Sequence, residues 1–208
     1  MGSEARSEKI IRFYNVVSGI YDLLSSYEWE VVESGLKLLG LDRNDCILDI
    51  GCGTGRAVRR LSSRCKIVFG LDLAENMLSV AEKKLGGRAN ASLCLADAAH
   101  LPFRDESFDV ATAIFTLEIL GRDELMRALS EILRVLRKGG KFLAISIHDK
   151  PCKAIKVYKL MNKLFPTIVN CKPIKLTELL KEAGFRVIQV REKSLYGLPV
   201  MITVASKP

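Results

Sequence analysis

Asp49-Ile-Gly51-Cys-Gly53-Thr-Gly55 joins a carboxylate to three alternating glycines, between a strand-like apolar run and a helical one. Glycines at such a turn let the chain reverse tightly and let a ligand approach the backbone. A second carboxylate, Asp72, closes Gly70-Leu71-Asp72. It lies about 20 positions after the first glycine, where an acidic residue can accept both hydroxyls of a ribose. A third, Asp97, sits in Ala96-Asp97-Ala98 and can take the exocyclic amine of an adenine. Singly, Asp72 also reads as a charge at a helix N-terminus, and Asp97 as a loop residue. Together the three fall at the ends of successive strands, the edge where open α/β sheets bind ligands. A dinucleotide fingerprint would need Gly at position 56, where this chain has Arg, and would set Asp49 against a pyrophosphate. An acidic residue facing the loop instead suits a cationic or neutral ligand.

Residues so far apart in sequence meet only if a scaffold brings strand ends together, and the hydrophobic pattern predicts one. Helical runs are expected over 4–17 and 29–39, the second capped by Gly40. Strands are expected at 46–50, 66–70, 91–96, 108–115 and 141–147, with helices at 56–64, 74–85 and 123–137 between them. Gly139-Gly140 is expected to stop the last of these helices. Strands alternating with helices imply a mostly parallel sheet with helices on both faces. The tail departs from this alternation: helices at 153–165 and 176–183, then strands at 185–190 and 200–205 about a turn at Gly197. These last two would add an antiparallel hairpin to the sheet edge and bring it to seven strands. With no repeat and no low-complexity linker, residues 1–208 are expected to form one domain. Its parts would be a helical cap (1–42), a ligand-binding core (43–148), a lid (149–176) and a C-terminal helix and hairpin (177–208).

Composition narrows the function classes. The chain has 208 residues, is 49% hydrophobic and 27% charged, and carries a net charge of +8. That is globular rather than disordered, and it favours an anionic partner or surface. No stretch approaches the roughly 18 uncharged apolar residues of a membrane span. The polar, charged N-terminus shows no secretory signal. Six cysteines with no C-x-x-C pair, and two distant histidines, give no zinc spacing. The expectation is a cytoplasmic protein with free thiols and no metal.

Five blocks in order resemble the class I S-adenosylmethionine-dependent methyltransferases: Leu48–Gly55, Gly70–Met77, Ala96-Asp97-Ala98, Leu101–Asp109 and Leu133–Gly140. Leu101-Pro-Phe followed by Ser107-Phe-Asp109 is similar to the branch that includes ubiquinone and menaquinone C-methyltransferases. So are Phe13-Tyr14, Ile20-Tyr-Asp-Leu23 and Thr177–Phe185; the likeness thins over 148–175. The resemblance implies a Rossmann-like methyltransferase fold with S-adenosyl-L-methionine as cofactor. By position, Gly51, Cys52 and Gly53 would lie against the methionine moiety and Asp49 near its amino group. Asp72 would hold the ribose, Leu73 and Met77 would pack the adenine, and Asp97 and Ala98 would read its edge. Phe115 would line the other side, and Tyr14 and Tyr21 would close over the top.

Methyl transfer from a sulfonium needs positioning and desolvation, and a base only if the acceptor must lose a proton. His148 is the first candidate by position, after the fifth strand; Asp149, Glu118 and His100 are the others. Phe115-Thr-Leu-Glu118 replaces the Asn-Pro-Pro-Tyr type of tetrapeptide that in the family marks amino-group methylation of nucleic-acid bases or protein glutamine. Residues 150–176 hold seven lysines and no Asp, Glu or Arg. Lys156, Lys159 and Lys163 share one helical face, and Val157, Tyr158, Met161, Leu164 and Phe165 fall on or near the other. Such a helix can lie on an anionic membrane or act as a lid over a greasy acceptor, or it can pack with a solvated lysine face. The expected partner is a small lipophilic acceptor such as a quinone precursor or lipid, with peripheral contact to an anionic membrane and no nucleic-acid module. An RNA methyltransferase and a non-catalytic cofactor-binding protein stay open as alternatives.

Overall fold

A computed structural model describes residues 3–24, 28–166 and 169–208. Parts of the expected cap (residues 1–2 and 25–27) and of the expected lid (167–168) lie outside the described residues. The strands are β1 (Cys46–Ile50), β2 (Ile67–Asp72), β3 (Ala91–Leu95), β4 (Phe108–Ile114), β5 (Leu136–Ile147), β6 (Arg186–Leu195) and β7 (Leu198–Ser206). The helices are α1 (Ser3–Val17), α2 (Tyr21–Leu24), α3 (Trp29–Leu36), α4 (Arg56–Ser62), α5 (Glu75–Leu85), α6 (Arg122–Val135), α7 (Lys153–Leu164) and α8 (Leu176–Glu182).

The strands form one sheet in the order β3-β2-β1-β4-β5-β7-β6. The first five pair in parallel and β7 runs antiparallel to both β5 and β6. The chain order turns back between β1 and β4, so the crevice of this sheet opens at the carboxyl ends of β1, β2 and β4. β1 is apolar on both sides, as a strand covered on both faces must be. Leu48 and Ile50 enter one core with α6, α8, Phe108 and Phe142. Ile47 enters the other with Val32 and Leu36 of α3, Leu61 of α4 and Ile202 of β7.

The element boundaries depart furthest from the pattern reading at three places. α6 ends at Val135 and β5 starts at Leu136, ahead of the glycine pair. Phe108 pairs with Leu136 before the register shifts at Val110, so Gly139-Gly140 serves an irregularity within the strand. A side chain at Gly140 would meet the Arg137 carbonyl at 2.8 Å and the Asp109 carbonyl at 3.1 Å. α3 stops at Leu36, after which tight turns carry the chain to Gly40 at φ +57°. β6 runs on to Leu195 because the hairpin pairs it with β7 as far as Leu198.

Candidate active site

The β1–α4 turn is built to leave space. Gly51 has φ +66° and Gly53 φ +52°, conformations that disfavour a side chain. At Gly51 a Cβ would strike Thr116, 2.3 Å from Cγ2 and 2.4 Å from Oγ1. At Gly53 a Cβ would meet nothing within 4 Å, because that backbone faces the cleft.

Asp72 is tied to this turn: Oδ2 accepts the Gly53 N–H at 2.9 Å and Oδ1 the Ala74 N–H at 2.8 Å. Its backbone-anchored carboxylate keeps further lone pairs for a ligand, and burial raises its pKa despite those hydrogen bonds. Asp49 is fully enclosed. Thr112 Oγ1 donates to its Oδ1 at 2.5 Å, while Oδ2 has no partner. Burial pushes its pKa up to about 7. Asp97 holds its own loop, accepting the Ala99 N–H at 2.8 Å and approaching His100 Nδ1 at 3.2 Å.

The N-terminal helices close the cleft from above. Asn15 of α1 accepts the Asn76 N–H of α5 at 2.9 Å, and Asn76 Nδ2 donates to the Asn15 carbonyl at 3.1 Å. Asp22 of α2 accepts from Thr54 Oγ1 at 2.5 Å and from Lys84 Nζ. These ties hold Tyr14 and Tyr21 edge to face, ring centroids 6.0 Å apart, over the opening. Phe115 forms the far wall at φ +51°, rare for a bulky residue and held by its N–H bond to Ile145 O at 2.8 Å. Such outliers concentrate at functional sites.

The resulting cleft, open to solvent, spans about 900 Å³ and shares lining residues with a second open space of about 520 Å³. Tyr14, Leu73, Met77, Asp97, Ala98 and Phe115 line the first, with Asp72. Tyr21, Gly51 and Gly53 line both; Asp49 and Cys52 line the second. All twelve residues singled out for cofactor contact thus border one continuous site. His148 borders neither space. Its backbone N–H bonds to Pro199 O at 2.8 Å, and Nδ1 is enclosed without a partner.

Sequence reasoning missed Glu28, Trp29 and Arg56, which line the second space. Arg56 stacks over the Trp29 ring at 4.6 Å, a cation–π contact. Burial raises the pKa of Glu28 to about 7, against the pull of Arg56. The second space therefore offers carboxyls for a cation and a guanidinium for an anion side by side, which fits a zwitterion. Position 56 carried a signal, as the first helical residue after the glycine turn; Glu28 and Trp29 carried none. Among the described residues no group of His, Cys, Asp and Glu could hold a metal ion.

A seven-stranded sheet of this order with an acidic, glycine-lined cleft at its carboxyl edge defines a Rossmann-like enzyme for a nucleoside cofactor, and the comparisons make that specific. The methyltransferase domain family matches residues 48–144. The demethylmenaquinone methyltransferase of Staphylococcus aureus (strain JH9) is 32% identical over 171 residues, 78% of this chain and 69% of that protein. The chain belongs to the class I S-adenosylmethionine-dependent methyltransferases, within which it resembles the menaquinone branch. The methyltransferase in complex with the Trm112 methyltransferase activator of Haloferax volcanii is similar in fold, with TM-score 0.80 over 94% of this chain and 97% of that one at 18% identity. The N-methyltransferase NodS of Bradyrhizobium japonicum WM9, in complex with S-adenosyl-L-homocysteine, gives TM-score 0.71 over 88% of each chain at 17% identity. As a member of that family, this protein uses S-adenosylmethionine as its cofactor.

Proposed function

We propose that this protein transfers the methyl group of S-adenosylmethionine to a small lipophilic acceptor, a quinone precursor or another membrane lipid. The observation that carries this reading is the surface of α7. Only Ile155 of that helix is buried. Val157 is 61% exposed, Leu160 56%, Leu164 59% and the following Phe165 49%. A helix packed by its apolar face would hide these side chains; here they stand beside a lysine row, as on a helix that lies in an anionic interface. On α1, α2 and the turn between them, Val16, Ile20 and Leu23 are exposed as well. The S. aureus relative, named for a menaquinone precursor, agrees with a lipid-soluble acceptor.

The cofactor supplies a methyl on a sulfonium, already activated for in-line displacement. The chain's own residues then bind, orient and exclude water. We assign Gly51, Cys52 and Gly53 to the methionine moiety, with the unpartnered Asp49 oxygen and Glu28 facing its ammonium and Arg56 its carboxylate. Asp72 takes the ribose hydroxyls, Leu73 and Met77 pack the adenine, and Asp97 and Ala98 read its edge. Phe115, Tyr14 and Tyr21 shut out solvent. In this reading residues 1–42 cap the cofactor, 43–148 bind it, 149–176 receive the acceptor and 177–208 complete the sheet.

The test is incubation with methyl-labelled S-adenosylmethionine and whole-cell extract, followed by separation of lipid, RNA, protein and water-soluble fractions. Label in lipid is expected. Label only in RNA or water-soluble metabolites would refute the acceptor class while leaving the cofactor site intact. The triple change K156E/K159E/K163E should release the protein from anionic vesicles, and equal binding before and after would remove the membrane contact.

A further inference from the structure

The sheet has two edge strands, β6 and β3, and only one of them is defended. An open edge offers unpaired N–H and C=O groups to any other strand, and charges or a bulge are the usual protection. β6 has both: Arg186, Arg191, Glu192 and Lys193 lie along it, and its register shifts between Val187 and Gln189. β3 has neither. Its sequence is Ala91-Ser-Leu-Cys-Leu95, and its pairing with β2 runs without a shift. The Val68 N–H bonds to Asn90 O and the Ala96 N–H to Asp72 O. Residues 90, 92, 94 and 96 therefore turn their backbone toward β2, and Ala91, Leu93 and Leu95 turn theirs outward.

The outward residues share one face of the sheet. Ala91 and Leu93 pack against the core there, and Leu95, next on the same side, is 58% exposed. Beside them an open groove of about 920 Å³ runs between β3 and α5. Leu78, Leu85, Ala91 and Leu93 give it an apolar lining, and Glu75 and Arg88 line it too. α5 leads from the end of β2 back to the start of β3, so Glu75 lies toward the Leu95 end of the groove. Arg88 lies at the opposite end, where its carbonyl accepts the Ala91 N–H at 3.2 Å. Both charged side chains belong to exposed residues.

We propose that β3 pairs antiparallel with β3 of a second copy of this chain, about a two-fold axis at Leu93, to make an isologous homodimer. In that register the two Leu93 residues exchange both backbone bonds, and each Leu95 N–H reaches the Ala91 carbonyl of the other copy. Each Leu95 side chain falls opposite Ala91, the smallest side chain lining the groove, and fills the space beside it. Charge matches in the same register. Reversing the strand direction brings Arg88 at the foot of one groove to Glu75 at the head of the other. The occupant is a second copy because the edge complements itself in both size and charge; a parallel pairing would set Leu95 on Leu95 and Arg88 on Arg88. α7 packs beside β7, away from this edge, so the dimer stands apart from the acceptor reading.

Sedimentation velocity of the full chain tests the dimer. Wild type should be dimeric at about 10 μM. Leu95→Arg should raise the dissociation constant at least about 100-fold, while Val190→Arg, at a 41% exposed position of β6, should leave it unchanged. Glu75→Arg and Arg88→Glu should each weaken the dimer about tenfold by setting like charges together. The double variant Glu75→Arg/Arg88→Glu should recover to within about threefold of wild type, a rescue that only the antiparallel register allows. If Leu95→Arg melts early, the charge exchange carries the test, because both of its positions are exposed. A monomeric wild type at about 100 μM overturns the proposal, whether or not a strand of another protein binds this edge. A dimer that a folded Leu95→Arg leaves intact, or a charge exchange in which the two losses simply add, overturns it equally.

Discussion

Gly51→Ala should be among the most damaging single-methyl changes in the chain. Two penalties add. At φ +66° an alanine adopts the left-handed conformation, which costs about 1–2 kcal/mol. Its methyl would also lie 2.3 Å from Thr116 Cγ2 and 2.9 Å from Thr116 Cβ, and forcing such a fit costs about 1–3 kcal/mol. The sum, about 2–5 kcal/mol, corresponds to a drop in Tm of about 4–20 °C for a chain of this size. Gly53→Ala is the matched control: φ is +52° with nothing within 4 Å, so only the conformational cost applies, about 1–2 kcal/mol. Its methyl enters the cleft, so its main effect should be on cofactor affinity. Thr116→Gly supplies the third measurement, because it removes the atoms that Gly51→Ala would strike. In a double-mutant cycle by thermal unfolding, the pair should show a favourable coupling of about 1–3 kcal/mol. The reasoning fails if Gly51→Ala melts with Gly53→Ala, or if Gly51→Ala and Thr116→Gly are additive.

The buried carboxyls make the site sensitive to pH. With Asp49 titrating at about 7, S-adenosylmethionine should bind about tenfold more weakly at pH 6 than at pH 8, and Asp49→Asn should flatten that dependence in calorimetry. The sign for stability is opposite. Asp49, Glu28 and Glu118 all hold their protons above the usual carboxylate range, so the folded state binds more protons and the ligand-free protein should lose stability as pH rises from about 4 to 8. A Tm that climbs over that window would contradict the burial argument, and Asp49→Asn should reduce the fall. Asn15→Ala removes the side-chain link from α1 to the Asn76 N–H and leaves the bond to its own backbone carbonyl; Tm should move little while cofactor dissociation quickens several-fold in stopped flow. An unchanged off-rate would mean that α1 does not hold the cofactor in.

The parallel core was legible because each strand announces itself locally. β1 follows the run Cys46–Ile50 residue for residue, and the acidic residues at the ends of β1, β2 and β3 share an edge by topology alone. The failures came where pairing overrides local pattern. Leu136-Arg-Lys-Gly-Gly140 reads as a helix end and a stop, yet Phe108 draws it into the sheet. Glu192-Lys-Ser-Leu195 reads as a loop, yet the hairpin register makes it strand. In the site, the twelve residues found from motifs are those fixed by the turn and strand ends or by the entering helices. Arg56 over Trp29 was hidden because the two lie far apart in sequence. His148, chosen for its place after the fifth strand, is not among the residues that line the two spaces.

Calorimetric titration of S-adenosyl-L-homocysteine into wild type and Asp72→Ala tests the central assignment most directly. Asp72 receives two backbone N–H groups, at 2.9 and 2.8 Å, and is assigned the ribose. Removing its carboxylate forfeits charge-assisted bonds of about 1.5–3 kcal/mol each. The account predicts one site per chain in wild type and at least about 100-fold weaker binding in Asp72→Ala. No heat in wild type, or equal affinity in the two proteins, would contradict the placement of the cofactor in this cleft.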